Sequence, residues 1–265
     1  MRIPLDHPRA DSLRIREKLI EQYAKGVVTQ AGLIAHGRGE AFDYLLGEKT
    51  TSSALKAIQA GAATMLLAEK PVISVNGNVA ALVAGDLVKL SRAMKGKIEV
   101  NLFYRSAARE RIIGKLLKKA GAREILGIGE KASARIPELS SERRRVDPTG
   151  IYVADVVLVP LEDGDRTEAL VKMGKKVIAV DLNPLSRTAQ KASITIVDNI
   201  VRAAPKLIEA ARKLKKEGKK KCEEIMANFD NQKNLNESLT LINKEFSKLA
   251  NERKGLTLGR DGLEL

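Results

Sequence analysis

A histidine, an arginine and three glycines fall within "AHGRGEAFDYLLGEKTT", Ala35 to Thr51, in a chain that has only two histidines. Glycines let backbone amides come close to a ligand, and a guanidinium fork matches phosphate or carboxylate geometry. The stretch therefore reads as a loop that cradles an anion, with His36, Arg38 and Lys49 as its polar contacts. Further along, hydrophobic runs end in polar residues: "VISVNGN" in Asn76, Gly77 and Asn78, "NLFYRS" in Tyr104, Arg105 and Ser106, and "LVPLEDGDRT" in Glu162 to Arg166. "IAVDLNPLSRT" ends in Asp181, Leu182, Asn183, Ser186 and Arg187, and "ITIVDN" in Asp198 and Asn199. An Asp that ends a buried strand is placed to hold ribose hydroxyls, and a nearby Ser-Arg pair offers donors to a phosphate. Bland readings compete: Asn-Gly-Asn suits a turn, and the acids of "EDGDRT" suit a helix N-terminus.

These residues must be carried by regular elements. The segments 72–76, 98–103, 124–128, 154–161, 176–182 and 194–199 are short, Val/Ile-rich and separated by helical patterns such as "DLVKLSRAMKG" and "ARERIIGKLLKKAG". Such alternation predicts an α/β fold with a doubly wound, mainly parallel, Rossmann-like sheet, whose ligands lie beyond the carboxyl ends of the strands. An amphipathic helix precedes it, capped by Asp11 or Ser12 and stopped at Gly26, followed by the small-residue helix "SALKAIQAGAATMLLAEK". After Asn199 the chain turns helical, with Val201, Ala204, Leu207, Ile208, Ala211 and Leu214 on one stripe and Leu235, Leu239, Ile242, Phe246 and Leu249 on a second. Residues 1–201 are thus expected to form an α/β body, and 202–265 a helical extension packed on the body or on a dimer partner, ending in a loose tail.

Composition narrows the function classes. The formal charge is +14, of which residues 202–265 carry fifteen Lys/Arg against ten Asp/Glu, and the densest run is "RKLKKEGKKK", Arg212 to Lys221. That run permits a nucleic-acid reading, but aromatics are only 3% and Trp is absent, so stacking platforms are scarce. A single cysteine, Cys222, excludes an intrachain disulfide and a cysteine-rich metal centre. No apolar run reaches the ~20 residues of a membrane helix, which leads to the expectation of a cytoplasmic protein. There is no G-x-x-x-x-G-K-[S/T], no G-x-G-x-x-G opening the first strand-helix unit, no G-x-S-x-G and no His pair at metal spacing.

The strings "GLIAHGRGEAFDYLLGEKTT", "KPVISVNGNVAAL", "KIEVNLFYR", "GIYVADVVLVPLEDGDRTEAL" and "VIAVDLNPLSRTAQKASITIVDNIVRA" together resemble the archaeal phosphopantothenate synthetases, or 4-phosphopantoate–β-alanine ligases. The resemblance implies a homodimeric, ATP-dependent ligase of coenzyme A biosynthesis, acting with Mg²⁺ through a phosphopantoyl adenylate and releasing AMP and pyrophosphate. It also implies ATP contacts at Arg16, Arg38, Asp181, Leu182, Asn183, Ser186, Arg187, Asp198 and Asn199. Arg38 is the candidate for stabilising charge during adenylation. Asn76, Gly77, Asn78, Tyr104 and Arg105 are assigned to phosphopantoate from their position at the strand ends, with His36 and Lys49 nearby. A nucleic-acid-binding protein, or another ATP-using enzyme such as a phosphotransferase, are the alternatives.

Overall fold

A computed structural model describes residues 4, 6–7, 9–161 and 164–255. Glu162 and Asp163, the side chain of Leu249 and the expected tail lie outside the described residues. Five parallel strands form the centre: β1 (Pro71–Val75), β2 (Lys97–Val100), β5 (Val156–Pro160), β6 (Lys176–Val180) and β7 (Ile194–Ile196), in the order β2-β1-β5-β6-β7. The connection therefore reverses between β1 and β5, the place where doubly wound sheets bind ligands. A short antiparallel pair, β3 (Ala134–Arg135) with β4 (Arg145–Val146), occupies the polar stretch before β5. The remaining expected strand, 124–128, is reduced to a single bridge of Leu126 to Glu99, although its amide and carbonyl still bond to Ile98 and Val100 at the sheet edge.

Both faces of the sheet are buried, because alternate residues of each strand supply alternate cores. Ile73, Val75, Ile98, Val100, Leu158, Ile178, Val180 and Ile196 meet α3 (Ser52–Leu67), α4 (Gly77–Met94), α5 (Ala107–Lys119) and α8 (Ile200–Glu217). Val72, Val157, Val159, Val177 and Ala179 meet α6 (Gly164–Lys172) and the residues around β3 and β4. Ala54, Ala57, Ala60, Gly61 and Ala63 give α3 a surface without long side chains, so α8 and β7 approach it closely. A Cβ on Gly61 would stand 3.2 Å from Ile178.

Several local expectations are corrected. The glycine-arginine "loop" is for the most part α2 (Gln30–Leu45), capped by Thr29, whose hydroxyl accepts the Gly32 amide at 3.2 Å. Three glycines disfavour a helix, but tertiary bonds hold this one. Asn78 donates to the Gly32 carbonyl at 2.7 Å, and a Cβ on Gly32 would lie 2.3 Å from Asn78 Oδ1, so a larger residue would have to displace Asn78 where α2 crosses the start of α4. Helix α4 begins at Gly77, well before the expected Asp86, because Asn76 caps it through the Val79 amide. The first helix, α1 (Ala10–Ala24), starts after Arg9 without a side-chain cap, and Asp11 and Ser12 lie inside its first turn. It does stop before Gly26, which adopts φ +76°.

Beyond β6, the single turn α7 (Arg187–Lys191) leads to β7. At the end of the chain, α9 (Lys219–Ala227) packs on α3, and α10 (Asn231–Gly255) lies against α3, β7 and α2. From the second expected stripe, Leu235 and Ile242 are buried with Leu46, Leu182, Ala189 and Val197, while Phe246 is exposed.

Candidate active site

The carboxyl ends of the strands surround a cavity of about 500 Å³. Its floor is the β1–β5 reversal, which Asn76 staples: its side chain donates to the carbonyls of Pro160 (3.0 Å) and Leu161 (2.9 Å), while its Oδ1 caps α4. One flank is built from the start of α4 (Gly77 and Asn78), the end of β2 (Leu102 to Tyr104) and Arg109 of α5. The other carries Asp181, Leu182 and Asn183 after β6, Ser186 and Arg187 at α7, and Asn199 before α8. Helix α2 forms a wall between the flanks, presenting His36, Arg38 and Gly39.

Twelve of the sequence-derived site residues thus line one cavity: His36, Arg38, Asn76, Gly77, Asn78, Tyr104, Asp181, Leu182, Asn183, Ser186, Arg187 and Asn199. Four do not. Arg16 pairs with Glu40 of α2 (2.8 Å) and donates to the Tyr44 hydroxyl (3.0 Å), bracing α2 from behind. Asp198 is buried, with its carboxylate taken by Thr50 Oγ1 (2.7 Å), Arg202 Nε (2.8 Å) and the Asn199 amide (2.7 Å). Arg105 is ion-paired to Glu110 and donates to the carbonyls of Arg145 (3.1 Å) and Gly127 (2.5 Å), away from the cavity. Lys49 is exposed near Gly47.

A profile of the phosphopantothenate/pantothenate synthetase family matches residues 53–245. The chain belongs to that family. It is 55% identical over 251 residues to the 4-phosphopantoate–β-alanine ligase of Thermococcus kodakarensis, covering 94% of this chain and 95% of that one. It is 51% identical over 250 residues to the enzyme of the same name from Methanosarcina mazei, covering 94% and 98%.

Within this family member the local chemistry is polarised. Asp181 accepts the Ser186 hydroxyl (2.5 Å) and the Asn183 amide (3.0 Å). Burial raises its carboxyl above the usual range, opposed by those two bonds and by the charge of Arg38. Arg38 itself is exposed and makes no hydrogen bond or ion pair among the described residues. Asn199 is fully engaged: Oδ1 caps α8 at the Val201 amide (3.2 Å) and Nδ2 donates to Asp43 (3.0 Å). Arg202 then ties Asp43 of α2 (2.5 Å) to Asp198 (2.7 Å), which fixes α2 against the start of α8. Burial lowers the His36 imidazole pKa, opposed by the charges of Glu40 and Asp43 and aided by that of Arg16, so the site favours the neutral ring.

Sequence reasoning missed Arg109, Arg143 and Thr188, all of which line the cavity. Arg143 sits over the Phe103 ring at 5.9 Å, and its backbone carbonyl accepts from Asn101 at 3.1 Å. The signal for it in the sequence is the arginine run of "SSERRRVDP", Ser140 to Pro148. Beneath it, fully buried Arg166 bonds Asn101 and the Ser74 hydroxyl (2.8 Å), joining α6 to β1 and β2 under the floor.

Proposed function

We propose that this chain condenses 4-phosphopantoate with β-alanine at the expense of ATP, giving 4'-phosphopantothenate, AMP and pyrophosphate. The observation that carries this reading is the convergence of Arg38, Asp181 to Asn183, Ser186, Arg187 and Asn199 on one cavity in a chain 55% identical to a 4-phosphopantoate–β-alanine ligase. The acid's carboxylate oxygen attacks the α-phosphorus of ATP, the bond to the pyrophosphate oxygen breaks, and an acyl adenylate forms. The β-alanine amine then attacks the acyl carbon, AMP leaves with the bonding electron pair, and a proton is lost from nitrogen.

The side chains fit that scheme. Asp181 and Asn183 would face the ribose or adenine, and Ser186 and Arg187 a phosphate. Arg38, which forms no ion pair among the described residues, is placed to meet the charge that builds up on the α-phosphoryl oxygens. Asp198 and Arg16 would act from one layer behind, setting Asn199 and α2. Among the described residues no three acidic, His or Cys side chains converge on a common point. The donor set therefore suits a Mg²⁺ ion carried by the nucleotide phosphates, which keeps most of its water, better than a protein cage. When bound, such an ion would neutralise phosphate charge.

A homodimer in the cytoplasm is part of the same proposal, and a monomer mass by light scattering would contradict it. Among the described residues no helix is long and apolar enough to cross a membrane. Pyrophosphate and AMP release, measured with each of the three substrates left out in turn, tests the reaction. ADP in place of AMP sinks the adenylate step.

A further inference from the structure

Most arginines at or near the cavity already have a carboxylate. Arg16 has Glu40, Arg105 has Glu110, Arg187 has Asp165 and Glu168, and Arg202 has Asp43 and Asp198. Arg38 on the α2 wall and Arg109 on the α4–α5 flank, both lining the cavity, have none among the described residues. Arg38 is solvated, so its lack of a partner costs little. Arg109 is half-buried, and among the described residues its guanidinium meets only neutral partners: the backbone carbonyls of Tyr104 and of Val27 (3.0 Å). Its Nε is buried with no partner, and burial depresses the pKa of its guanidinium.

A cation taken partly out of water and offset only by carbonyl dipoles is a standing electrostatic debt that an anionic ligand would relieve. Its surroundings suit one. Gly77 brings the first turn of α4 against the guanidinium so closely that a Cβ there would lie 2.9 Å from Nη2 and 2.3 Å from the Val27 carbonyl oxygen. Asn76 caps only the Val79 amide, so the Gly77 and Asn78 amides at the start of α4, which kinks at Val83, have no partner within the helix.

We propose that Arg109 determines specificity for the phosphate of the acid substrate, holding that dianion on the α4–α5 flank while the substrate's carboxylate reaches toward Arg38 and the nucleotide. This rests on the ligase reading. The substrate carries an anion at each end, ATP brings its own, and the cavity offers an uncompensated arginine on each side. Arg109 replaces Arg105, which sequence position suggested and which Glu110 already neutralises.

The test compares wild type with Arg109→Met and Arg109→Lys. In the Met variant the KM for 4-phosphopantoate should rise roughly thirty-fold, the size of a lost charge-assisted contact. The KM for ATP should stay within about two-fold, and competitive inhibition by inorganic phosphate against 4-phosphopantoate should weaken in step. The Lys variant, which keeps charge but not the fork, should fall between, at roughly five-fold. Equal rises in the two KM values, or an unchanged KM for 4-phosphopantoate in a variant that melts like wild type, overturn the assignment. Should the Met variant fold poorly, the Lys variant decides by the same split. If wild type forms no AMP from 4-phosphopantoate, the ligase reading fails. Calorimetric titration with inorganic phosphate then judges Arg109 alone: weaker binding in the variants supports the anion subsite, and equal binding refutes it.

Discussion

The molecule has a cavity of about 500 Å³ at each end of its sheet, and they differ in almost everything except volume. At the carboxyl end, α2, α4, α7 and α8 all begin, each with a side-chain cap from Thr29, Asn76, Ser186 or Asn199. At the amino end, α3, α4 and α8 finish, and the cavity there is lined by Leu66, Met94, Leu214 and Cys222 with Lys95 and Lys215 at its edge. Helix N-termini present free amides and partial positive charge, so the first cavity is prepared for anions before any arginine is counted. Helix C-termini carry the opposite charge, which lysines offset. The basic run from Arg212 to Lys221 belongs to this second end, where Lys215 and Lys216 occupy the last turn of α8. Size does not separate the two cavities; the direction of the helices does.

The comparison can be broken most directly at Arg38. Arg38→Ala should lower the turnover number by about a hundred-fold or more, the size of losing one preorganised charge at a transition state, with little change in melting temperature because the side chain is exposed and unbonded. A steady-state assay of pyrophosphate release reads it, and an unchanged rate removes Arg38 from the chemistry. Next is Gly77→Ala. Its new methyl would meet the Val27 carbonyl oxygen at 2.3 Å, a backbone atom that cannot swing away. A loss of roughly 2–3 kcal/mol in urea unfolding is expected, as for overpacking elsewhere, and an unaltered midpoint would show that the α1–α2 turn yields easily.

The third effect concerns the structural carboxylate under the sheet edge. Glu99 is fully buried and accepts the amides of Asp147 (2.9 Å) and Ile151 (2.6 Å). Burial still pushes it up to about 7, from an ordinary value of 4.5. Because the folded state then holds the proton more tightly than the unfolded one, stability should decline as pH rises from 4.5 to about 7 and level off on either side. Thermal melts across that window should lose this slope in Glu99→Gln; a slope that persists assigns it to other groups. Smallest is Lys215→Ala at the amino-end cavity, expected to cost no more than about 0.5 kcal/mol through the α8 dipole and to leave activity within about two-fold. A large activity loss would mean that the two ends are coupled.

Much of this was legible before any coordinates. Five of six strand expectations stand, because strands buried on both faces read as runs of Val and Ile whatever packs on them. Ten of the site residues were found by looking just beyond strand ends, where the fold class places ligands, and His36 and Arg38 by the glycine-arginine stretch. The failures share a cause. Helix α2 looks like a loop because its glycines oppose a helix locally, and it persists through Asn78, Glu40–Arg16 and Asp43–Arg202, contacts made across long stretches of chain. The strand expected at 124–128 shrank to one bridge because it lies at the open edge, where a single neighbour supports it.

By itself, the sequence determined the family, the parallel α/β class and the polar residues at the strand ends, since these depend on residue types in order along the chain. Tertiary structure decided which cations are spent and which are available. Arg105 and Arg109 stand four residues apart beside the same strand end, and nothing local distinguishes them. Only the folded chain sets Glu110 against the first and leaves the second facing carbonyls at the edge of the cavity. A charge is compensated by what packs beside it in space, and spacing along the chain does not specify that neighbour.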